Sequence, residues 1–251
     1  MHLNYPKKRN GLFILSLTDF DVIAEEFLAE YAPDVLHEAQ PLDIDAVISD
    51  CLYLDVRKAY LSDKGDILGM IVFSDTEIRY LNHKFEPQVE CIPEGTIILD
   101  YRIDGRVSEA RMRFTKAHEA AHWICHRNYF ADNKDQIFNF RMAPESHIAC
   151  RKQDVYETGK QSGKMLYTDE DWREWQANCL AAALLMPKST FTYAAKSLFT
   201  RAQAYRGYLV KDRDTNIYGI VNELATMFKV SKEAATYRLK QLKLLAVGQS
   251  W

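Results

Sequence analysis

His118-Glu119-Ala120-Ala121-His122 decides how this chain is read. It sits in Arg111–His126, where Phe114, Ala117, His118, Ala121, His122 and Cys125 recur at helical spacing. Residues four apart on a helix lie on one face, one turn apart, so both imidazoles reach a single metal ion. Glu119 projects about 100° round from His118 and points at water beside that ion. Ser108 is the expected N-cap. Two histidines buried on an apolar face also suit a purely structural role; the glutamate between them favours a metal centre.

A catalytic zinc takes three protein ligands and keeps a fourth position open. Thr168-Asp169-Glu170-Asp171 has the form of a capped, acidic helix start. The helix it opens continues through Trp172 to Met186 and stops at Pro187. On it Glu174 and Asn178 share a face with Ala177, Ala181, Ala182 and Leu185. A carboxylate directed into that small, apolar surface needs a partner, and a metal is one. The other reading of Glu174 is an ordinary surface carboxylate among acidic neighbours. Asn178 is placed to accept a hydrogen bond from the far N–H of a ligand histidine.

Together, AHEAAHW and the downstream EWQANCLAAALLMP resemble the ImmA/IrrE family of zinc metallopeptidases. The resemblance implies His118, His122 and Glu174 as ligands of one Zn2+ and Glu119 as general base. It extends upstream to Ile67–Phe73 as a sheet segment and downstream to Leu224–Ser231, covering about residues 20–245. It also implies a protein substrate, a helix-turn-helix repressor of phage, mobile-element or stress control. Two features depart from the pattern. The Arg127–Asp171 connection is long, and position 178 is Asn where related peptidases often carry Asp.

The 251 residues are 47% hydrophobic and 27% charged, with a net charge of −3. That is globular composition without a global nucleic-acid or membrane signature. No apolar run approaches the ~20 residues of a membrane span. Lys7-Lys8-Arg9 before Gly11–Leu17 superficially suggests a signal peptide, but Thr18-Asp19-Phe20-Asp21 follows with no cleavage site, so a cytoplasmic segment leading into a Thr18-capped helix is expected. Five cysteines, Cys51, Cys91, Cys125, Cys150 and Cys179, contain no C-x-x-C pair and read as reduced thiols.

The expected fold is α+β. Helices near 19–31 and 44–52 precede strands near 53–61, 66–74, 77–81 and 96–101. A small antiparallel sheet packs against the active helix in a zincin-like manner, and an all-helical C-terminal part follows. Residues 1–195 form the metallopeptidase domain and 196–251 the helical region. The polar 127–171 connection is either a substrate-edge loop or an insertion, with His147 and Cys150 structural. His126 lies roughly 12 Å along the axis from His118, too far to share its metal, and is expected at the surface or behind a ligand.

From Lys196 onward ten Lys and Arg face four Asp and Glu. There, Gly219–Phe228 and Ser231–Leu242 suggest a helix-turn-helix pair, with Lys232, Thr236, Arg238 and Lys240 meeting phosphates or bases. This is the rival reading: a DNA-binding or partner-binding regulator with a zinc-bearing, non-proteolytic domain. The alanine-rich second helix suits packing on the peptidase core instead.

Overall fold

The computed structural model describes residues 3–103, 109–133, 146–151, 168–206 and 215–245. The expected cap at Ser108 lies outside them. The N-terminal segment folds back on itself through a bridge between Lys7 and Phe13 and enters α1 (Leu17–Tyr31). The cap is Ser16, not Thr18. Ser16 and Asp19 form a reciprocal capping box, which leaves Thr18 inside the first turn. A short α2 (Asp34–His37) follows, then α3 (Ile44–Ala46), which continues as a π-helical turn over Val47–Cys51.

Among the described residues, six strands come next: β1 (Asp55–Ala59), β2 (Ile67–Val72), β3 (Thr76–Leu81), β4 (Pro87–Ile92), β5 (Thr96–Asp100) and, beyond the long helix α4 (Glu109–Asn133), β6 (His147–Arg151). One sheet has the order β1-β5-β2-β6. It is antiparallel across β5, β2 and β6, but β1 pairs with β5 in parallel. The expected small antiparallel sheet thus carries one parallel edge. The remaining strands, β3 and β4, form a hairpin.

Alternation along β2 assigns its two faces. Ile71 joins Ile97, Leu99 and Phe73 in the main core, while Met70 and Val72 join Ile98, Ile78 and Ile92 beneath the hairpin. A strand covered on both sides must be apolar throughout, and Leu68 to Val72 are all buried. Gly69, with the parity of Ile71, faces α4. A Cβ there would lie 2.8 Å from Glu119 Oε1 and 2.9 Å from Thr115 Cγ2. Only glycine lets the strand approach the helix this closely.

The last four helices among the described residues are α5 (Asp169–Leu185), α6 (Lys188–Arg206), α7 (Thr215–Phe228) and α8 (Lys232–Gln241). Thr168 caps α5 through a capping box with Asp171, worth about 1 kcal/mol. The helix ends at Leu185 with Met186 as its C-cap, and Pro187 follows as the stop. Ala117, Ala120 and Ala121 of α4 and Ala177 and Ala181 of α5 are fully buried, and such small side chains let paired helices approach closely. The boundary drawn after residue 195 falls inside α6, and Leu224, Phe228, Ala235 and Leu239 share the main core with α4 and α5. The described helices beyond residue 195 contribute to the same hydrophobic core as α4 and α5. Among the described residues, no helix is long and apolar enough to cross a membrane.

Candidate metal centre

His118, Glu119 and His122 are fully buried on α4, facing α5 and β2. Nε2 of His118 lies 2.9 Å from Nε2 of His122. Across the interface, Glu174 offers one carboxylate oxygen to each ring, 3.3 Å from His118 Nε2 and 3.4 Å from His122 Nε2. A tetrahedral ion with bonds of about 2.1 Å separates its ligand atoms by about 3.4 Å, so the three groups fit one metal ion. They form the His118–His122–Glu174 cluster whose ligand atoms lie within 4.8 Å of one another. The reading of Glu174 as a surface carboxylate does not survive: its side chain is 14% exposed and turned inward.

The far nitrogens of both rings are occupied. Nδ1 of His118 lies 3.0 Å from Asn178 Oδ1, and an amide oxygen only accepts, so Nδ1 carries a proton and Nε2 is the nitrogen turned to the cluster. Nδ1 of His122 lies 3.0 Å from Nδ1 of His126, whose Nε2 lies 3.0 Å from Gln176 Oε1. Gln176 donates through Nε2 to the carbonyl of Phe13 at 2.7 Å. The carbonyl end sets the direction of the whole chain. Gln176 accepts from His126 Nε2–H, leaving His126 Nδ1 to accept from His122 Nδ1–H and freeing His122 Nε2. His126 is thus buried behind a ligand. Gln176, between the sequence-assigned Glu174 and Asn178, had no local signal to mark it.

The electrostatics of the cluster follow from burial and from this crowding. Burial opposes charge on His118, but Cys150 and Glu174 outweigh it and hold its pKa well above the ordinary value. Burial likewise works to raise Glu174, yet His122 and His118 hold the carboxylate well below its usual range. Desolvation pushes His122 down to about 4, with Glu174 countering and His118 adding to the fall. His126 is depressed by burial and by His122, so it remains the neutral acceptor that the relay requires.

Cys150, read from sequence as structural, lies beside the centre, next to His118 and Glu119. It is fully buried on β6, and its sulfur, a His118 ring nitrogen and a Glu119 oxygen lie within 4.8 Å of one another. Burial pushes its thiol up to about 12, with the His118 imidazole pulling the other way. His147 is half-buried on the same strand, with Nδ1 3.2 Å from Ser146 Oγ.

The donor set fits a single metal ion, with a buried carboxylate, Glu119, beside it. Residues 137–240 match the IrrE N-terminal-like domain of peptidase family M78. This is the family that the two metal motifs resemble. The matched IrrE-like segment contains β6, Glu174, Asn178 and the helices from α5 to α8, while His118, Glu119 and His122 precede it on α4. No curated protein matches the chain.

The four residues assigned to nucleic acid fare unequally. Lys232 and Lys240 are exposed on α8, and Thr236 is half-buried, its hydroxyl donating to the Lys232 carbonyl at 2.8 Å. Arg238 is a correction. It is fully buried, donating to Asp21 Oδ1 at 2.7 Å, Met186 O at 3.0 Å and Gln241 Oε1 at 2.8 Å. A guanidinium held on three sides inside the core has no face left for a phosphate.

Proposed function

We propose that this protein is a zinc-dependent metalloendopeptidase that cleaves a helix-turn-helix repressor in the cytoplasm. The observation that carries the reading is the convergence of His118 Nε2, His122 Nε2 and the Glu174 carboxylate beside Glu119. Two nitrogens and a carboxylate suit zinc, and zinc held there supplies Lewis acidity, polarising a carbonyl and making water easier to deprotonate. Glu119 takes the proton from water and returns it to the leaving amine. Asn178 and the His126–Gln176 pair hold the two imidazoles in the tautomer that binds metal. The repressor as substrate rests on the family resemblance.

The test is incubation of the zinc-loaded chain with the repressor encoded beside its gene. Glu119→Gln is the control, expected to keep the metal and lose cleavage. Unchanged turnover in that variant would remove Glu119 as base. The DNA-binding alternative is weakened by the burial of Arg238. A mobility shift at low salt with operator DNA would revive it.

A further inference from the structure

We propose that the N-terminal loop, residues 6–14, is a positioning element of the metal centre: its Phe13 carbonyl decides which nitrogen of His122 carries the proton. The inference rests on the three-ligand centre above and adds to it a part of the chain that neither metal motif contains.

The loop is closed on itself and tied to α5 at two levels. Lys8 N donates to the Leu12 carbonyl at 2.7 Å and Ile14 N to the Pro6 carbonyl at 2.8 Å, on either side of the Lys7–Phe13 bridge. Gly11 turns the tip with a φ of +91°, a conformation that favours glycine. At the tip, Lys8 Nζ lies 2.8 Å from one Asp169 oxygen, and Asn10 Nδ2 donates to the other. Lys8 Nζ also sits 4.9 Å from the centre of the Trp172 ring. At the base, the carbonyl of the buried Phe13 accepts from Gln176 Nε2 at 2.7 Å. Asp169, Trp172 and Gln176 stand at i, i+3 and i+7 on one face of α5. The tip contacts therefore hold the loop in the register that brings the Phe13 carbonyl onto Gln176.

That carbonyl matters because a side-chain amide can turn over. Gln176 Oε1 and Nε2 exchange places by rotation about one bond, and only an N–H can face a carbonyl. With the loop seated, Nε2 is committed to Phe13 and Oε1 accepts from His126 Nε2–H. His126 Nδ1 then accepts from His122 Nδ1–H, and His122 Nε2 keeps its lone pair. With the loop displaced, the amide turns and Nε2 donates to His126 Nε2. Each ring then shifts its single proton to its other nitrogen. His126 Nδ1–H donates to His122 Nδ1, and His122 is protonated at Nε2. An N–H there, 3.4 Å from Glu174 Oε1, has no lone pair for a metal. No net charge changes in the exchange; the three side chains only trade donor and acceptor roles.

The test uses the full chain and reads zinc binding, not cleavage. Lys8→Ala combined with Asn10→Ala unties the tip outside the core and should leave the circular dichroism spectrum unchanged. Zinc affinity, measured by competition with a chelator, should fall about 10-fold, as for lost partners behind a ligand histidine. Gln176→Glu is the control. Its carboxylate only accepts, so it holds His126 in the same tautomer whether or not the loop is seated. In that background, at mildly alkaline pH, the tip substitutions should change zinc affinity by no more than about twofold. Long-range proton–nitrogen spectra of isotope-labelled histidines in the metal-free protein should show His122 protonated at Nδ1 in the wild type, and a share protonated at Nε2 in the tip variant. Zinc affinity unchanged by the tip substitutions, or lowered equally in both backgrounds, overturns the inference and leaves the three-ligand centre standing. A wild-type chain that binds no zinc overturns the centre itself.

Discussion

Replacing Arg238 by Met separates a DNA-reading residue from a structural lock, and the structure sets the size of the effect. The guanidinium joins α8 to α1 through Asp21 and to the end of α5 through the Met186 carbonyl. Its removal strands the Asp21 carboxylate at 7% exposure. Lys188 is the remaining cation near it, at 3.9 Å and half-exposed, and compensates weakly. Breaking one side of a buried pair costs about 3–5 kcal/mol. Met fills much of the space, so the expected loss is about 3–4 kcal/mol. With a urea slope of about 3 kcal/mol/M the midpoint falls by roughly 1 M. Burial of an ion pair carries its own desolvation cost, so removing both charges is cheaper than removing one. Asp21→Leu combined with Arg238→Met should therefore recover about 2 kcal/mol relative to Arg238→Met alone. Urea denaturation followed by circular dichroism gives both numbers. A single-variant loss below about 1 kcal/mol, or a double variant no better than the single, would refute the lock.

Three further outcomes are expected. Glu174→Ala removes the sole carboxylate of the three-ligand centre and should abolish stoichiometric zinc, measured by metal analysis of the purified protein. His126→Ala takes away the acceptor behind His122, and such losses typically weaken metal affinity about 10–100-fold; competition with a chelator measures it, and unchanged affinity would dismiss the relay. Gly69→Ala sets a methyl 2.8 Å from Glu119 Oε1. Such overpacking costs about 1–3 kcal/mol, read as a lower melting temperature, and displacement of the base should cut turnover by about 100-fold.

Sheet elements show where reading the chain failed. β4 begins with Pro87 and is exposed up to Ile92, so it lacks the alternation that marks a half-buried strand; proline is tolerated because it stands first in a hairpin edge. β6, His147–Arg151, is five residues long inside a polar connection, and its strand character comes from the hydrogen bonds β2 offers. Within the Arg127–Asp171 connection, His147–Arg151 contributes a strand to the sheet and brings the Cys150 thiol beside His118 and Glu119.

By itself the sequence determined what one helix can express. The i, i+4 histidines, Glu119 between them, the Thr168 cap and the stop at Pro187 all follow from helical periodicity and chain ends, which are local. Tertiary structure alone decided what crosses between elements: the inward turn of Glu174, the His126–Gln176 relay, the Cys150 sulfur beside Glu119 and the burial of Arg238. A side chain's partner depends on which surface its helix or strand presents to another, and residues 31 to 217 positions apart in the chain carry no local mark of that meeting.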